Sequence, residues 1–351
     1  MLLLLSLLIL TSCAGVEADH SLIDSNQNKA SQAGNSDTAF PSAEPEYVKI
    51  FDTDRLLVAD HSSVWTSSNG GMIWRVSNGT WDQDGSSKTI RGMSFLENGV
   101  IFLAAPDALF RSDDFGESWA KLGEMPFVPK AIFFIDKSNG WAVSTHFPEN
   151  WQPESQEPLY EGKIFATRDG GRSWFEEKMD NDGISRTLGK WTLNDIFFPT
   201  SLKGFAVGDG VILRTEDGGG TWSRVEIAPF RYFKLDARGE NLIWVNVIGN
   251  DEFPISTNGG ITWRLAKYPR TGIDTASFIL FLNPDDAILS MGHLYRTLTG
   301  GTNWKRVGQW ELVSHCDLLL GQKIICLANR DGHTYSIVSD DFGANWAQRK
   351  P

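Results

Sequence analysis

The sequence predicts an all-β fold, a seven-bladed β-propeller of four-stranded antiparallel blades, because one short pattern recurs seven times. In each copy a Ser or Thr is followed seven residues later by Trp, with Gly three residues before that Trp and usually Asp or Asn between. The copies begin at Ser67, Ser112, Thr167, Thr215, Ser256, Thr297 and Ser339. Successive copies lie 41 to 55 residues apart. Short strands that repeat at such a period are typical of propeller blades.

The segments between the copies predict strands. In the fourth unit, runs rich in Val, Ile, Phe and Trp occupy residues 193–198, 204–208, 211–215 and 221–225, and turn residues separate them. Such runs bounded by Gly, Asp or Pro are typical of strands. We therefore expect four strands in each unit, named A to D in chain order, with the repeated pattern in the turn between C and D.

We call each eight-residue copy, from its Ser or Thr to its Trp, a box. We expect its third residue to accept hydrogen bonds from amides of the turn, its Gly to adopt a positive φ, and its Trp to be buried. The third residues are Asn69, Asp114, Asp169, Asp217, Asn258, Thr299 and Asp341. The Trp residues are Trp74, Trp119, Trp174, Trp222, Trp263, Trp304 and Trp346. Thr299 is a weaker acceptor than Asp or Asn, so we expect the loosest turn in the sixth box.

The two ends of the repeat predict how the ring closes. The first strand A begins near Tyr47, and the last strand D lies at residues 346–350. In this register no blade combines strands from both ends of the chain, and side-chain packing between the first and seventh blades closes the ring. If the segment before Tyr47 pairs with the last blade instead, the register shifts by one strand.

Residues 1–12 predict a lipoprotein signal peptide. Their apolar run of about ten residues is too short to span a bilayer as a helix. Residues 10–13, Leu-Thr-Ser-Cys, resemble a bacterial lipobox, in which Cys13 would be lipidated. No Lys or Arg precedes the apolar run, which departs from the usual signal pattern. An unmodified Cys13 in a plain signal peptide is the alternative.

The rest of the chain divides into a tether and a domain. Residues 13–46 predict the lipidated Cys and a flexible tether, because they are rich in Ser, Asn, Ala and Asp and lack periodic apolar residues. Residues 47–351 predict the propeller. Ala14, where an Asp would favour the inner membrane, favours the outer membrane. We expect an extracytoplasmic protein of the periplasm or outer membrane that its N-terminal lipid alone anchors.

Composition and charge limit the classes of ligand that we expect the chain to bind. The formal net charge is −12 and no basic run is present, which argues against nucleic acid as a ligand. The six His residues are dispersed, and no metal-ligand spacing, nucleophile motif or phosphate-binding loop occurs. We therefore expect no metal and no cofactor, and we expect a monomer.

Two cysteines lie close together near the C-terminus. If Gly321 is the midpoint of a three- or five-residue hairpin loop, Cys316 and Cys326 lie opposite each other, close enough for a disulfide. A two-residue loop would separate them. The sequence leaves a disulfide and two buried free thiols equally open.

The face opposite the boxes is the candidate binding face. Strands alternate in direction, so the B–C and D–A loops meet there, and the longest irregular segments, 77–92, 145–161 and 180–191, belong to those loops. Long loops on a rigid scaffold commonly carry function, although a face can also simply tolerate insertions. Gathered in one patch, arginines there could bind carboxylates or phosphates; spread over the rim, they would be solvated charges. The candidate residues are Asp82, Arg91, Trp151, Tyr160, Arg186, Trp191, Arg231 and Arg270.

The boxes resemble the Asp-box, or BNR repeat, of sialidases, sortilin and other propellers. Residues 139–143, Asn-Gly-Trp-Ala-Val, and the longer run at 203–219 resemble the repeat of the photosystem II assembly/stability factor family. That resemblance covers about residues 47–351. It implies a seven-bladed propeller that binds a partner protein on one face without catalysis. The acidic insertion at 149–161 is not part of the family pattern.

We expect a non-catalytic binding lipoprotein that recognises a protein or a cell-surface ligand such as a glycan on the face opposite the boxes. Sialidases need an arginine triad, a Tyr nucleophile beside a Glu, and an Asp acid/base, and their Arg-Ile-Pro signature is missing before Ser67. The alternative is a sialidase-like glycoside hydrolase or carbohydrate-binding protein. It would use Trp151, Tyr160 and Trp191 with nearby carboxylates.

Overall fold

The structure of the chain is a computed structural model, and seven sheets follow one another along it. It describes residues 45–77, 89–146, 161–177, 192–227, 230–272, 276–319, 323–330 and 333–349. Each sheet has four antiparallel strands in sequence order, so the chain is a seven-bladed β-propeller, as the sequence predicts.

The strands of the first four blades are bounded as follows. The first blade comprises β1 (Tyr47–Ile50), β2 (Leu56–Ala59), β3 (Val64–Ser67) and β4 (Arg75–Val76). The second comprises β5 (Gly92–Phe95), β6 (Ile101–Ala104), β7 (Ala108–Ser112) and β8 (Ala120–Glu124). The third comprises β9 (Pro129–Phe134), β10 (Gly140–His146), β11 (Glu161–Thr167) and β12 (Phe175–Glu176). The fourth comprises β13 (Leu193–Phe197), β14 (Gly204–Gly208), β15 (Val211–Thr215) and β16 (Ser223–Arg224).

The remaining three blades complete the ring. The fifth blade comprises β17 (Arg231–Arg238), β18 (Leu242–Ile248), β19 (Glu252–Ser256) and β20 (Arg264–Lys267). The sixth comprises β21 (Phe278–Phe281), β22 (Ala287–Met291), β23 (His293–Thr297) and β24 (Lys305–Glu311). The seventh comprises β25 (Val313–Leu318), β26 (Ile324–Arg330), β27 (His333–Ser339) and β28 (Ala347–Gln348). The long segments 145–161 and 77–92 join strands B and C of the third blade and the first two blades, as expected.

The seven boxes share one pattern of hydrogen bonds. In the fourth box the Thr215 hydroxyl accepts from the Gly219 amide at 3.0 Å, and Asp217 Oδ1 accepts from the Thr221 amide at 2.9 Å. The corresponding two bonds occur in the other six boxes. Gly219 has φ +104°, and a Cβ there would lie 3.0 Å from Trp141 Nε1, so only Gly fits. Thr299 still accepts from the Asn303 amide at 3.0 Å, but with a single oxygen.

The boxes lie on the same face as the A–B turns. The fourth residue of a box donates its amide to the A–B turn of its own blade, as from Gly218 to the Leu202 carbonyl and from Gly170 to the Ser138 carbonyl, both at 2.8 Å. Four other boxes make the equivalent bond. The strands A therefore begin on the face opposite the boxes and end on the box face.

The expectation that all seven box Trp residues are buried is wrong for four of them. Trp74, Trp119 and Trp222 are buried. The half-buried ones are Trp174, Trp263, Trp304 and Trp346. The difference follows from what the preceding blade places against each indole: Ser77 covers Trp119 and accepts from its Nε1 at 2.9 Å. Trp304 instead donates to the Lys267 carbonyl at the exposed edge of the blade.

Hydrogen bonds also join the box of one blade to the preceding blade at several boundaries. The Gly218 carbonyl accepts from Trp141 Nε1 at 3.0 Å, and the Gly300 carbonyl accepts from Arg264 at 2.8 Å. The Gly70 carbonyl accepts from the Ser336 hydroxyl at 2.8 Å, and this bond joins the seventh blade to the first. A box thus fastens its own hairpin and the boundary between two blades.

The ring closes as predicted, by packing between the first and seventh blades. Buried Ile325 and Leu327 pack with apolar residues of the first blade that include Trp65 and Trp74. Arg349 donates to Asp54 Oδ1 at 2.8 Å across the same boundary. Among the described residues, no sheet combines strands from the two ends of the chain.

Cys316 and Cys326 are cross-strand partners in the seventh blade and form a disulfide. Leu318 pairs with Ile324, so Gly321 is the midpoint of the five residues that join β25 to β26. This is one of the two loop lengths under which the sequence predicts that the cysteines face each other. Both residues are buried.

Candidate functional site

The strands A surround a central cavity of about 280 Å³, which a smaller space of about 60 Å³ continues. In the register between strands A and B, equivalent residues line it in two layers. The layer nearer the face opposite the boxes contains Tyr47, Gly92, Ala131, Asp195, Lys234, Phe278 and His315. The layer nearer the boxes contains Lys49, Ser94, Phe133, Phe197, Asp236, Leu280 and Asp317.

One carboxylate in this cavity belongs to the closure of the ring. Asp317 Oδ2 accepts from Lys49 Nζ at 3.2 Å and from the Ile50 amide at 3.1 Å, and His315 Nε2 lies 3.6 Å from it. Burial raises the pKa of Asp317, but Lys49, His315 and the Ile50 amide outweigh it, so the pKa is well below its usual range. Asp317 is therefore ionised at neutral pH and ties β25 to β1.

A second carboxylate joins the fourth and fifth blades. Asp195 Oδ2 accepts from the Leu235 amide at 2.8 Å, and its Oδ1 accepts from the Ile196 amide at 2.9 Å. Burial raises the pKa of Asp195 to about 6, against the opposing effects of the Leu235 amide and of Lys234. Burial also raises the pKa of Asp236, again opposed by Lys234. Lys234 thus stands between two carboxyls that are harder to ionise than usual.

Four of the strands A contain a β-bulge close to their first residue. In β9, β13, β17 and β25 the ladder with strand B skips one residue, and two residues of strand A oppose one of strand B. The skipped residues are Lys130, Asn194, Phe233 and Ser314. Such β-bulges redirect a side chain and are frequent beside binding and active sites.

In the other three blades no residue of strand A is skipped, but the residue at the same position donates its amide to strand B. The amide of Glu46 donates to the Ala59 carbonyl at 2.9 Å, although Ala59 is already the partner of Tyr47. The Arg91 amide donates to the carbonyl of Ala104, the partner of Gly92. The Ser277 amide donates to the carbonyl of Ser290, the partner of Phe278. We call these seven residues the mouth ring, because they lie where the cavity opens on the face opposite the boxes. They are Glu46, Arg91, Lys130, Asn194, Phe233, Ser277 and Ser314.

Part of the mouth ring is linked by hydrogen bonds. Lys130 Nζ donates to Asn194 Oδ1 at 3.3 Å, and Asn194 Nδ2 donates to the carbonyl of Tyr232, the neighbour of Phe233, at 2.9 Å. On the first blade, Glu46 lies 2.7 Å from His61 Nδ1. Burial raises the pKa of Glu46, although His61 and Arg91 act to lower it. The ring thus combines two cations, one carboxylate, one amide, two hydroxyls and one aromatic ring.

The structure describes the positions of three of the eight candidate residues. Arg91, Arg231 and Arg270 are all exposed, but Arg91 alone belongs to the mouth ring. Arg231 lies two residues before Phe233, and its Nε is 3.8 Å from Asp209 Oδ1 in the B–C turn of the fourth blade. The candidates outside the described residues are Asp82, Trp151, Tyr160, Arg186 and Trp191, as is Cys13.

Sequence reasoning missed most of the mouth ring. Glu46, Arg91 and Asn194 precede their boxes by the same number of residues, and this constant distance was the available signal. In the other blades the strands and the connections between them differ in length, which changes this distance and hides the signal. The three cavity aspartates were likewise missed, because nothing in a strand A distinguishes a carboxyl that faces the cavity.

Two absences among the described residues concern membrane and metal chemistry. Within those ranges, no helix has the length and apolar character needed to cross a bilayer. In the same part of the chain, no three His, Cys, Asp or Glu side chains are grouped so that they could hold a metal ion.

Comparison with known proteins shows which propellers the chain resembles. No family model matches the chain. Sortilin from Mus musculus is 23% identical over 281 residues, which are 69% of this chain and 30% of the relative. Sortilin from Rattus norvegicus is 22% identical over 275 residues. The chain therefore spans about 30% of the length of the curated relatives that it matches.

Solved structures match over more of the chain. YCF48 from Cyanidioschyzon merolae has a TM-score of 0.62 at 15% identity, covering 84% of this chain and 96% of that one. YCF48 bound to a D1 peptide has a TM-score of 0.59 at 14% identity, covering 85% and 94%. The GH74 xyloglucanase from Xanthomonas campestris has a TM-score of 0.63 at 12% identity, covering 88% and 54%. At these identities the likeness shows the fold, and it agrees with the resemblance drawn from the sequence: the chain is a seven-bladed β-propeller similar to YCF48, sortilin and GH74 propellers.

Proposed function

We propose that this chain is a non-catalytic binding module that recognises an exposed segment of a partner protein at the mouth ring. The observation that carries the proposal is the ring itself. Four bulges and three equivalent amide–carbonyl hydrogen bonds place seven residues at one ladder position around one opening, and their side chains range from cationic and anionic to polar and aromatic. The fold requires the repeated backbone arrangement but not particular side chains at these positions. The side chains can therefore vary to recognise a ligand.

The comparisons support this proposal without extending to this chain's own partner. One matching structure is YCF48 with a bound D1 peptide, and it covers 85% of the chain. A propeller of this kind can therefore hold a peptide. We infer the same class of ligand here, since the mouth ring offers both charged and apolar contacts to an extended segment.

A binding experiment tests the mouth ring. Arg91→Glu combined with Lys130→Glu reverses the ring's two cations, and Lys137→Glu with Arg172→Glu makes the same charge change at the box face. Purified wild type and both variants would be cross-linked to a bacterial envelope extract of the host. We expect proteins captured by the wild type and the box-face control to be lost from the mouth-ring variant. An identical set from all three would contradict the proposal.

We further propose that the chain is an extracytoplasmic lipoprotein that Cys13 anchors to the bacterial membrane. The support is the match of residues 10–13 to a lipobox. Metabolic labelling with an alkyne fatty acid in a bacterial host should mark the wild type and not Cys13→Ser. Equal labelling, or none in either, would reject the anchor.

A glycoside hydrolase is the second candidate, and the cavity carboxyls favour it. A carboxyl with a pKa of about 6 resembles a general acid, and burial also raises the pKa of the nearby Asp236. Against it, Asp195 already accepts two backbone amides. Xyloglucan and a chromogenic sialoside would be incubated with the wild type and Asp195→Asn. We expect hydrolysis from neither protein; hydrolysis that Asp195→Asn abolishes would establish the enzyme.

A further inference from the structure

Phe233 differs from the other members of the mouth ring. It lies in β17 between Tyr232, which is 2% exposed, and Lys234, yet 51% of Phe233 is exposed. The bulge causes this exposure, because Tyr232 pairs with Val247 and Lys234 with Asn246 and Phe233 has no place in the ladder. At the six equivalent positions the residue is charged, an amide or a hydroxyl.

The propeller does not need this side chain for its own packing. Buried Tyr232 and Leu235 on either side of the bulge contribute to the core of the fifth blade, and Phe233 is not among the residues that pack with them. A single exposed apolar residue is common on protein surfaces and alone would indicate nothing. Phe233 differs from such a residue in the cationic and amide groups that lie near it.

Cationic and amide groups lie close to Phe233 along the mouth ring. Asn194 Nδ2 donates to the carbonyl of Tyr232, which precedes Phe233 in the chain, and Lys130 Nζ donates to Asn194 Oδ1. Arg231 and Lys234 are exposed on the same strand, two residues before and one residue after it. Aromatic residues and arginine are enriched at protein interfaces, where a few residues carry most of the binding energy.

We propose that Phe233 is the apolar anchor of the mouth ring and receives an aromatic or large aliphatic side chain from a partner segment with carboxylates on either side. Charge complementarity selects this occupant, because the cations nearest to Phe233 would pair with those carboxylates. The inference rests on the proposed function and gives the partner segment its chemistry.

Fluorescence anisotropy with defined peptides tests the anchor. The probes are fluorescein-labelled Gly-Asp-Asp-Phe-Asp-Asp-Gly, the same peptide with Ala for Phe, and the same peptide with Lys for every Asp. The proteins are the wild type, Phe233→Ala and, as the matched control, Leu202→Ala. Leu202 is 59% exposed on the A–B turn of the fourth blade, on the box face.

We expect the wild type and Leu202→Ala to bind the acidic phenylalanine peptide about tenfold more tightly than its alanine counterpart. Phe233→Ala should lose that difference and bind both acidic peptides equally, and the lysine peptide should bind weakly to all three proteins. Far-ultraviolet circular dichroism and the unfolding midpoint, which we expect to be unchanged, would show that Phe233→Ala is folded.

Three results would overturn the anchor. The first is a wild type that does not distinguish the phenylalanine from the alanine peptide. The second is equal loss of both acidic peptides in Phe233→Ala. The third is a concentration-dependent dimer in sedimentation velocity that Phe233→Ala abolishes, since a second copy would then cover Phe233. In each case the cross-linking experiment with Arg91 and Lys130 still decides the proposed function on its own.

Discussion

The two faces of the propeller are built on opposite principles. On the box face, seven turns repeat the same side chains and the same hydrogen bonds, from Ser67 in the first blade to Ser339 in the seventh. On the other face, four bulges and three equivalent hydrogen bonds to strand B repeat one backbone position and display side chains of different chemistry, with Arg91, Asn194 and Phe233 at equivalent positions. Repetition of side chains marks the positions that hold the fold, and repetition of backbone alone marks positions free to bind.

The sharpest test of this contrast is a buried box Trp. Trp222→Ala should lower the free energy of unfolding by about 3 to 5 kcal/mol, because it leaves a cavity between blades. Half-buried Trp304→Ala should cost less, since part of its surface is already in water. Urea denaturation followed by circular dichroism measures both. Equal losses would mean that the boxes contribute through their turns and not through their indoles.

The cavity between the two faces should respond to pH through Asp195. Its pKa is raised in the folded state to about 6 from an ordinary 3.8, so the folded chain binds this proton more tightly than the unfolded chain. The stability it contributes is present below about pH 4 and is lost as the pH rises through about 6, by roughly 1 to 3 kcal/mol.

Asp195→Asn checks this directly. The free energy of unfolding of the wild type minus that of the variant should fall between pH 4 and pH 7. A difference that stays constant with pH would show that this carboxyl titrates at its ordinary pKa.

The sixth box offers a test in the stabilising direction. Thr299→Asp should raise the free energy of unfolding by about 0.5 to 1 kcal/mol, because a carboxylate adds a second acceptor to the turn. The seventh box shows the arrangement, in which Asp341 accepts from both the amide and the side-chain Nδ2 of Asn345. Thr299→Val, which removes the acceptor, is the opposing control and should be destabilising. If Thr299→Asp proves neutral, the sixth turn is already as tight as the others.

The smallest effect should come from the mouth ring. Lys130→Gln and Ser277→Ala should each change the free energy of unfolding by less than about 0.5 kcal/mol, because exposed side chains contribute little to stability. The same urea titrations measure this. A larger loss from either would mean that the ring helps to hold the propeller, and the contrast between the two faces would weaken.

The sequence predicted the features of the fold that depend on the types of side chain. The period of the boxes predicted the blade number, and the runs rich in Val, Ile and Phe predicted the strands. It could not predict the bulges. Strict alternation in β17 would place Phe233 and Leu235 on one side and Tyr232 on the other, yet Tyr232 and Leu235 are buried and Phe233 is exposed. One extra backbone residue reverses the alternation, and no side chain marks where it occurs.

The sequence also could not predict how far a neighbouring blade covers each side chain. The boxes around Trp119 and Trp304 look alike, but the first indole meets Ser77 of the preceding blade and the second lies at an exposed edge. The cavity carboxyls depend on neighbours in the same way. The pKa of Asp317 is lowered because Lys49, His315 and the Ile50 amide outweigh burial, whereas that of Asp195 is raised because burial outweighs the Leu235 amide and Lys234.

The bulges of the strands A make this propeller a convenient scaffold for engineering. A mouth-ring residue can bond its backbone amide to strand B with very different side chains, as Glu46 and Arg91 illustrate. A library that randomises the seven ring positions would vary one continuous surface and leave the boxes and the buried core untouched. New specificities could then be selected without first repairing the fold.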